Sequence, residues 1–476
     1  MPNKTPAIYW IRKDLRIADN RALLAAAENG RPVIPLFICE DDRAGALGGA
    51  QSWWLERSLA RLGESYEKLG VGLVLKSGDP AEIIPDLIRE TGAEAVYWNR
   101  RYAPDGIKTD KALKQKLKAE DITVESFGGH ILHEPSKFRT KTGGPYKVYT
   151  PFWKAFSAEP HVPDPLDAPE RLEKPGAMPE SERLADWALY PGKPDWAEGF
   201  EPIWTPGEAG ACERLDRFLD EIAEDYAASR DRPDIEATSM LSAHLALGEI
   251  SPATVWHRVN AARDLSAENR KKYLQELVWR DFCHHLLFHA PDLATINWND
   301  RFDGFDWSDD DKAFEAWKRG RTGYPIVDAG MRQLWAEGTM HNRVRMIAAS
   351  FLIKDLMIDW RRGEAWFRDT LVDADPASNP ANWQWVAGSG ADAAPFFRIF
   401  NPVLQGEKFD PKGDYVRRYV PELEAMPAKH IHAPFDAPEK ALKEAGVTLG
   451  ETYPKPLVDH KTARKNALAA FEKIKD

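Results

Sequence analysis

A chain of 476 residues with a net charge of −11 is too long for one ordinary hydrophobic core, and too acidic to bind polyanions over its whole surface; a local basic groove remains compatible with that total. It has no apolar run of membrane-spanning length, and MPNKTPAIYW lacks the basic start and apolar stretch of a signal peptide. Cys39, Cys212 and Cys283 lie far apart with no CxxC, which excludes a disulfide framework, offers no metal site and suits a reducing cytoplasm.

The first part alternates short apolar runs with helical periodicity. Ala7–Ile11, Val33–Ile38, Leu73–Leu75, Ala95–Trp98 and Ile122–Val124 read as buried strands. Trp53–Leu69, stopped by Gly70, and Lys108–Lys118 read as helices between them. Strands separated by helices imply a Rossmann-like parallel α/β domain, placed at 1–130, with a ligand crevice at the carboxyl ends of its strands. No GxGxxG follows the first strand and no GxxxxGK[ST] occurs, so the dinucleotide-oxidoreductase and P-loop readings lose their support. A charged loop, Arg12–Asn20, stands there instead.

Residues 131–206 read as an inter-domain connector. Its first part, Lys137–Lys154, has five cations and no acid among interleaved aromatics, a composition that suits either contact with a polyanion or a solvated loop. Glu159–Pro206 holds ten of the 35 prolines and is expected to wrap the surface with little regular structure. From 207 to 476 the β pattern stops. Cys212–Ala228, Pro252–Ala262, Arg270–Phe288, Lys312–Arg319, Val327–Glu337, His341–Trp360 and Glu364–Leu371 read as helices of an all-α domain.

Chemistry concentrates between Arg368 and Lys408. Asp373 and Asp375 lead into Asn379, then Trp383 and Trp385, then a run of small residues, and Arg398, Asn401 and Gln405 close the segment. Small residues beside aromatics and paired acids suit a wall around a flat polar ligand, although a helical corner with core tryptophans has the same composition. The three hydroxyls of Thr238, Ser239 and Ser242 suit a phosphate cradle or plain helix capping. Glu276, Trp279 and Arg280 share one helix face, as do Asn342, Arg345 and Met346, with Arg343 turned away. A carboxylate, an indole and a guanidinium together can hydrogen-bond and stack a base, or form a structural salt bridge over a core tryptophan. His284 and His285 have no acid at metal-ligand spacing and read as structural, so no metal site is expected.

RKDLRIADN, WNRRY, TSMLSAHLALGEISP, ELVWRDFCHHL, GYPIVDAGMRQL, MHNRVRM and DADPASNPANWQWVAGSGADAAPFFRIFNPVLQGEKFD together resemble the DNA photolyase/cryptochrome family over essentially the whole chain, most closely the class III bacterial cyclobutane pyrimidine dimer photolyases. The resemblance implies an N-terminal α/β antenna domain and a helical domain holding folded FAD, whose reduced form donates an electron to a dimer on excitation and takes it back after the ring splits. It implies that Tyr226 and Thr238–Ser242 (with Met240 and Leu241) hold phosphates. Arg345 and Asp373 would pair beside the ring system, joined by Asn342, Ala374 and Asp375, and Asn379 would face flavin N5. Trp383, Trp360 and Trp307 match the electron-relay positions. On the lesion side, Glu276 would hydrogen-bond the pyrimidine pair and Trp279, Trp385 and Met346 would wall it, while Arg230, Arg280, Asn342, Arg343 and Gln405 would contact DNA.

The implied partner is ultraviolet-damaged DNA, with the dimer flipped out of the duplex, and the protein a cytoplasmic monomer without an obligate protein partner. The implied antenna is methenyltetrahydrofolate, against the loop 43–51, with a deazaflavin as the alternative. A cryptochrome photoreceptor is the competing reading; against it stand the four lesion-side residues together and a chain that ends at Asp476 without a long tail. A (6-4) photolyase would carry a histidine near Met346, and this chain has none there. Without the resemblance, paired acids among tryptophans would suit a carbohydrate-cleaving enzyme.

Overall fold

The computed structural model describes residues 4–40, 47–190, 192–393 and 397–475. Strands β1 (Ala7–Ile11), β2 (Val33–Cys39), β3 (Val74–Ser77), β4 (Ala95–Asn99) and β5 (Thr123–Phe127) form a parallel sheet in the order β3-β2-β1-β4-β5. Helices α1 (Arg21–Ala26), α2 (Gly49–Lys68), α3 (Pro80–Thr91) and α4 (Pro104–Ala119) make the crossovers. Every residue of β1 and β4 is buried, because helices cover both faces of the sheet. The register sets Ala7 opposite both Val33 and Ala95. All five apolar runs therefore became strands, and Gly70 follows α2 at φ 94°, a conformation open to glycine at little cost.

The winding changes direction between β1 and β4, the point where such sheets usually leave a ligand crevice. Here protein side chains fill it. Arg12, just past β1, is buried, lies 3.3 Å from Asp110 and sits 4.2 Å from the Trp10 ring. Arg101, just past β4, reaches Glu40 at 2.5 Å and Asp110 at 3.1 Å and covers the same indole at 5.3 Å.

The helical half comprises α5 (Tyr149–Ala158), α6 (Glu208–Arg217), α7 (Tyr226–Ser229), α8 (Ser242–Leu247), α9 (Pro252–Ala261), α10 (Ala267–His289), α11 (Asp311–Lys318), α12 (Pro325–Glu337), α13 (Asn342–Ser350), α14 (Trp360–Thr370), α15 (Ser378–Ala387) and α16 (Pro402–Phe409), with shorter helices and His460–Lys473 beyond. Two expected helices are broken. His341–Trp360 divides into α13, a π turn at Phe351–Asp355 and a reversal through Met357 at φ 53°, before Asp359 caps α14 by accepting from Arg361 N. Phe351, Leu352, Ile353 and Ile358 are all buried, and the reversal lets the chain pack them without continuing one straight cylinder. Cys212–Ala228 likewise divides at a π turn, Phe218–Ile222, and a 3₁₀ turn, Ala223–Asp225.

Between Glu159 and Pro206 the only described helical turn is Leu184–Trp187. Leu172, Ala197, Phe200 and Trp204 pin this strap into the apolar cluster of the α/β half, and Trp204 Nε1 donates to the Glu337 carbonyl at 2.8 Å. The two halves also touch directly. Gly49 N donates to Asp369 Oδ1 at 2.9 Å and Gln51 Nε2 to the Ala374 carbonyl at 2.6 Å. A Cβ at Gly48 would lie 2.0 Å from the Arg368 carbonyl oxygen, so only glycine allows this approach.

Candidate functional site

A cavity of about 950 Å³ opens in the helical half, between the start of α8, α10, α13, the segment 371–375 and α15. Thr238–Ser242 and Tyr226 form one wall. Ser242 is the first residue of α8, and no side chain caps that helix, so the hydroxyls are not consumed as caps. Ser239 Oγ accepts from the Tyr273 hydroxyl at 2.9 Å, and Met240 holds φ 49°.

The opposite wall carries the charges. Arg345 donates to Asp373 Oδ2 at 3.0 Å and through Nε to the Met340 carbonyl at 2.7 Å. The other oxygen, Asp373 Oδ1, is buried and takes no hydrogen bond from any described residue. Asp375 Oδ1 accepts from Ala377 N and Ser378 N at the start of α15, and its Oδ2 lies 3.2 Å from His284 Nε2. Burial works against its charge, but His284, Arg280 and the α15 amide outweigh burial and hold the carboxyl well below the usual carboxylate range. Asn379 Nδ2 donates to Glu364 Oε1 at 2.8 Å and to the Glu364 carbonyl at 3.1 Å. Asn379 lines the cavity with its amide donors held by Glu364, and its Oδ1 accepts from no side chain or backbone among the described residues. Burial raises the Glu364 carboxyl, against Arg368 and the Asn379 amide, which lower it.

Trp279, Trp385 and Met346 line the outer part of the cavity with Glu276. Trp279 Nε1 donates to Asn382 Oδ1 at 3.1 Å and Trp385 Nε1 to the Asp392 carbonyl at 3.0 Å, so both indoles are anchored at their polar edge. Tyr149 packs edge-on against Trp279 at 4.9 Å, which brings the basic stretch to the cavity rim. Along that stretch Lys137, Arg139, Lys141, Lys147 and Lys154 are exposed, while Phe138 stacks on Tyr146 and packs against Phe152.

Of the other expected site residues, Trp383, Arg230 and Arg280 line the cavity, whereas Trp360, Trp307, Arg343 and Gln405 stand outside it. Trp383 is in its wall, but Trp360 is fully buried with Nε1 donating to Asn297 at 2.9 Å, and Trp307 is partly exposed, lining a second cavity of about 470 Å³. All three pack against one apolar cluster. Arg343 pairs with Asp231 at 2.8 Å, Arg230 pairs with Glu276, and Gln405 sits on α16. Arg280 departs from the expected DNA contact. It turns inward, donating to the carbonyls of His130 at 2.7 Å and Leu245 at 3.2 Å, because it bridges α10 to the end of the sheet domain.

Three arrangements were beyond sequence reasoning, and they bring in Glu364, Asp231 and His130, which the sequence did not single out. Glu364 orients Asn379 from the previous helix, Asp231 holds Arg343, and His130, His284 and Asp375 bring three ligand-type atoms within 4.8 Å of one another. The last corrects the view that His284 lacks an acid, since 91 residues separate it from Asp375. This trio is already tied by hydrogen bonds, with Arg280 Nη2 2.9 Å from His130 Nε2 and Lys13 near Asp375, and two cations disfavour a further dication there.

Comparisons agree with the geometry. One family model, described as DNA photolyase, matches residues 7–170, and another, the FAD binding domain of DNA photolyase, matches 273–473. The chain is 63% identical over 473 residues to the deoxyribodipyrimidine photo-lyase of Agrobacterium fabrum, covering 99% of this chain and 98% of that one. It is 36% identical to cryptochrome-1 of Arabidopsis thaliana over 95% of this chain and 68% of that one. It is also similar to the crystal structure of a bacterial class III photolyase from Agrobacterium tumefaciens, with a TM-score of 0.98, 62% identity, and coverage of 100% and 98%.

Proposed function

The chain belongs to the DNA photolyase family, and we propose that it repairs cyclobutane pyrimidine dimers in DNA by light-driven electron transfer from FAD held in the large cavity of its helical half. One observation carries the reading: a single cavity joins an unpartnered carboxylate oxygen, Asp373 Oδ1, to a part walled by Trp279, Trp385 and Met346 beside Glu276. Reduced FAD, when bound and excited, supplies one electron to the dimer and recovers it after ring opening, so the cycle has no net redox change.

The residues present fit that cofactor. Asp373 Oδ1 offers an unpartnered acceptor to a ring N–H, with Arg345 balancing its charge. Asn379, fixed by Glu364, offers an oxygen acceptor to N5–H, which favours the protonated reduced ring. Tyr226 and the uncapped hydroxyls of Thr238–Ser242 would hold the phosphates, with Asn342, Ala374 and Asp375 completing the walls. Trp279, Trp385 and Met346 exclude water from a flipped dimer, and Glu276 accepts hydrogen bonds from the pyrimidine pair. Arg230, Arg343, Asn342 and Gln405 contact the DNA strand. Trp383, Trp360 and Trp307 lead from the cavity wall through the core to the surface and are the side chains by which electrons enter.

For the antenna, the packed Arg12–Arg101 crevice supports methenyltetrahydrofolate over a deazaflavin, because a flat tricyclic ring at the strand ends would have to displace both guanidinium groups. Of the loop expected to face it, residues 43–46 lie outside the described residues. No helix among the described residues is long and apolar enough to cross a membrane. A DNA substrate supports a place at the nucleoid in the cytoplasm, and the proposal takes the acting unit as a monomer.

The test is an absorption spectrum before and after blue light with a reductant, paired with dimer loss from irradiated DNA. We expect flavin bands that bleach, and light-dependent dimer loss. Bleaching without dimer loss would favour the cryptochrome reading, and a protein without flavin would overturn both.

A further inference from the structure

Five charged side chains of alternating sign form a row, two of which, Arg230 and Glu276, line the cavity. Arg343 Nη2 lies 2.8 Å from Asp231 Oδ2, and Asp231 Oδ1 lies 3.8 Å from Arg230 Nε. Arg230 Nη1 pairs with Glu276, which is 3.5 Å from Lys272 Nζ. The row joins the start of α13, the turn after α7 and one face of α10. Both arginines are mostly buried, with side-chain exposures of 19% and 13%, whereas Asp231 is 38% exposed. The Arg343 guanidinium also lies over the Phe409 ring at 4.6 Å, and its buried Nε has no hydrogen-bond partner among the described residues, so the ring holds the group in place while donor capacity remains for another acceptor. Among the described residues the Asp231 carboxylate accepts a hydrogen bond from Arg343 alone, so it caps no helix and holds no loop.

We infer that Asp231 is a specificity-determining residue, an internal stand-in for a DNA phosphate that occupies Arg343 until a dimer engages Glu276. The inference rests on the DNA-repair reading above. Carboxylate and phosphate offer a guanidinium the same charge-assisted hydrogen bonds. Undamaged duplex can therefore recruit Arg343 only by displacing Asp231, which then faces the phosphates as a like charge.

A dimer changes the balance from the other end of the row. When Glu276 accepts hydrogen bonds from the pyrimidine pair, it holds Arg230 less strongly. Arg230, already 3.8 Å from Asp231, closes on it and supplies the missing counter-charge. Arg343 is then released to the backbone. Reading the lesion and gripping the strand become one coupled event, and by reciprocity a gripped strand favours the lesion in the cavity.

Asp231→Asn keeps the size and an acceptor but removes the charge. Binding of this variant and of the wild type would be measured in the dark over a series of KCl concentrations. The probes are a duplex with one cyclobutane dimer and the same duplex undamaged. On undamaged DNA, affinity should rise about three- to tenfold and the log–log salt slope should steepen by about one unit, the signature of one added phosphate contact. On the dimer duplex the slope should stay and affinity should change less than about twofold, since Arg343 is already released there. Asp231→Ser should behave alike, and retained flavin absorbance in either variant confirms the fold. Equal gains on both duplexes, or an unchanged slope on undamaged DNA, would overturn the coupling while leaving the repair reading intact. A wild type without preference for the dimer would overturn both.

Discussion

The molecule contains two places where a ligand could be expected, and they are built in opposite ways. At the strand ends of the sheet, Arg12 and Arg101 converge on Asp110 and Glu40 above Trp10, so both charges are paired and the space is filled, although Arg12 Nε, Arg101 Nη2 and Trp10 Nε1 are buried without a hydrogen-bond partner among the described residues. In the helical half, Asp373 keeps one oxygen unpartnered, and Asn379 in the cavity wall has its amide donors held by Glu364. The fold rule points to the first place, and an open cavity beside an unpartnered carboxylate oxygen points to the second. Buried polar groups without partners occur at both, so a binding site is recognised where such a group faces open volume that a ligand can fill.

If that contrast is right, Asp373→Ala should have the largest effect. It strands Arg345 and removes the free acceptor, and should weaken FAD binding by about a hundredfold, or ~3 kcal/mol, read as flavin absorbance retained through gel filtration. Arg12→Met should cost about 3 kcal/mol of stability by leaving Asp110 short of a cation in a buried site. Its flavin content should stay unchanged, and Arg12→Met with Asp110→Leu should recover most of the loss; thermal melting with flavin quantitation checks both.

Asp410 sharpens the comparison from the acid side. It has no arginine partner, and burial, with Asp234 and Asp414 nearby, raises its carboxyl to about 6, above the unfolded value near 3.9. A raised acid binds its proton more tightly in the folded state. Its stabilisation is complete below about pH 4 and is lost as pH rises through about 6, a change of up to about 3 kcal/mol. Asp410→Asn should flatten urea midpoints between pH 4.5 and 7; an unchanged slope would remove Asp410 from that account. The smallest effect is expected for Glu276→Ala, which should keep flavin bound and lower dimer affinity by about tenfold, measured on a single-dimer duplex; unchanged affinity would exclude Glu276 from lesion contact.

Much of this was legible before any coordinates. The central strands β1, β2 and β4 were readable because they are buried on both faces and so appear as unbroken apolar runs, whereas the edge strands β3 and β5 are partly exposed and showed only a short apolar start. The cavity residues were readable because they cluster in a few stretches, 238–242, 276–280, 342–346 and 373–385. The break before α14 was not read, since the residues from Phe351 to Ile358 are apolar enough to pass for one helix; Asp359 before Trp360 was the available N-cap signal. The inward turn of Arg280, and the pairing of Asp231 with Arg343 across 112 positions, depend on how elements pack and leave no local pattern.

The short contact between α2 and the segment after α14 has a further meaning. Gly49 N holds the Asp369 carboxylate and Gln51 the Ala374 carbonyl, and Ala374 stands between the two acids of the cavity wall. The sheet domain is thus a buttress for the cofactor pocket as well as a candidate light collector. A helical half cut free of it would lose the frame that keeps Asp373 and Asp375 apart, and with it the shape of the site.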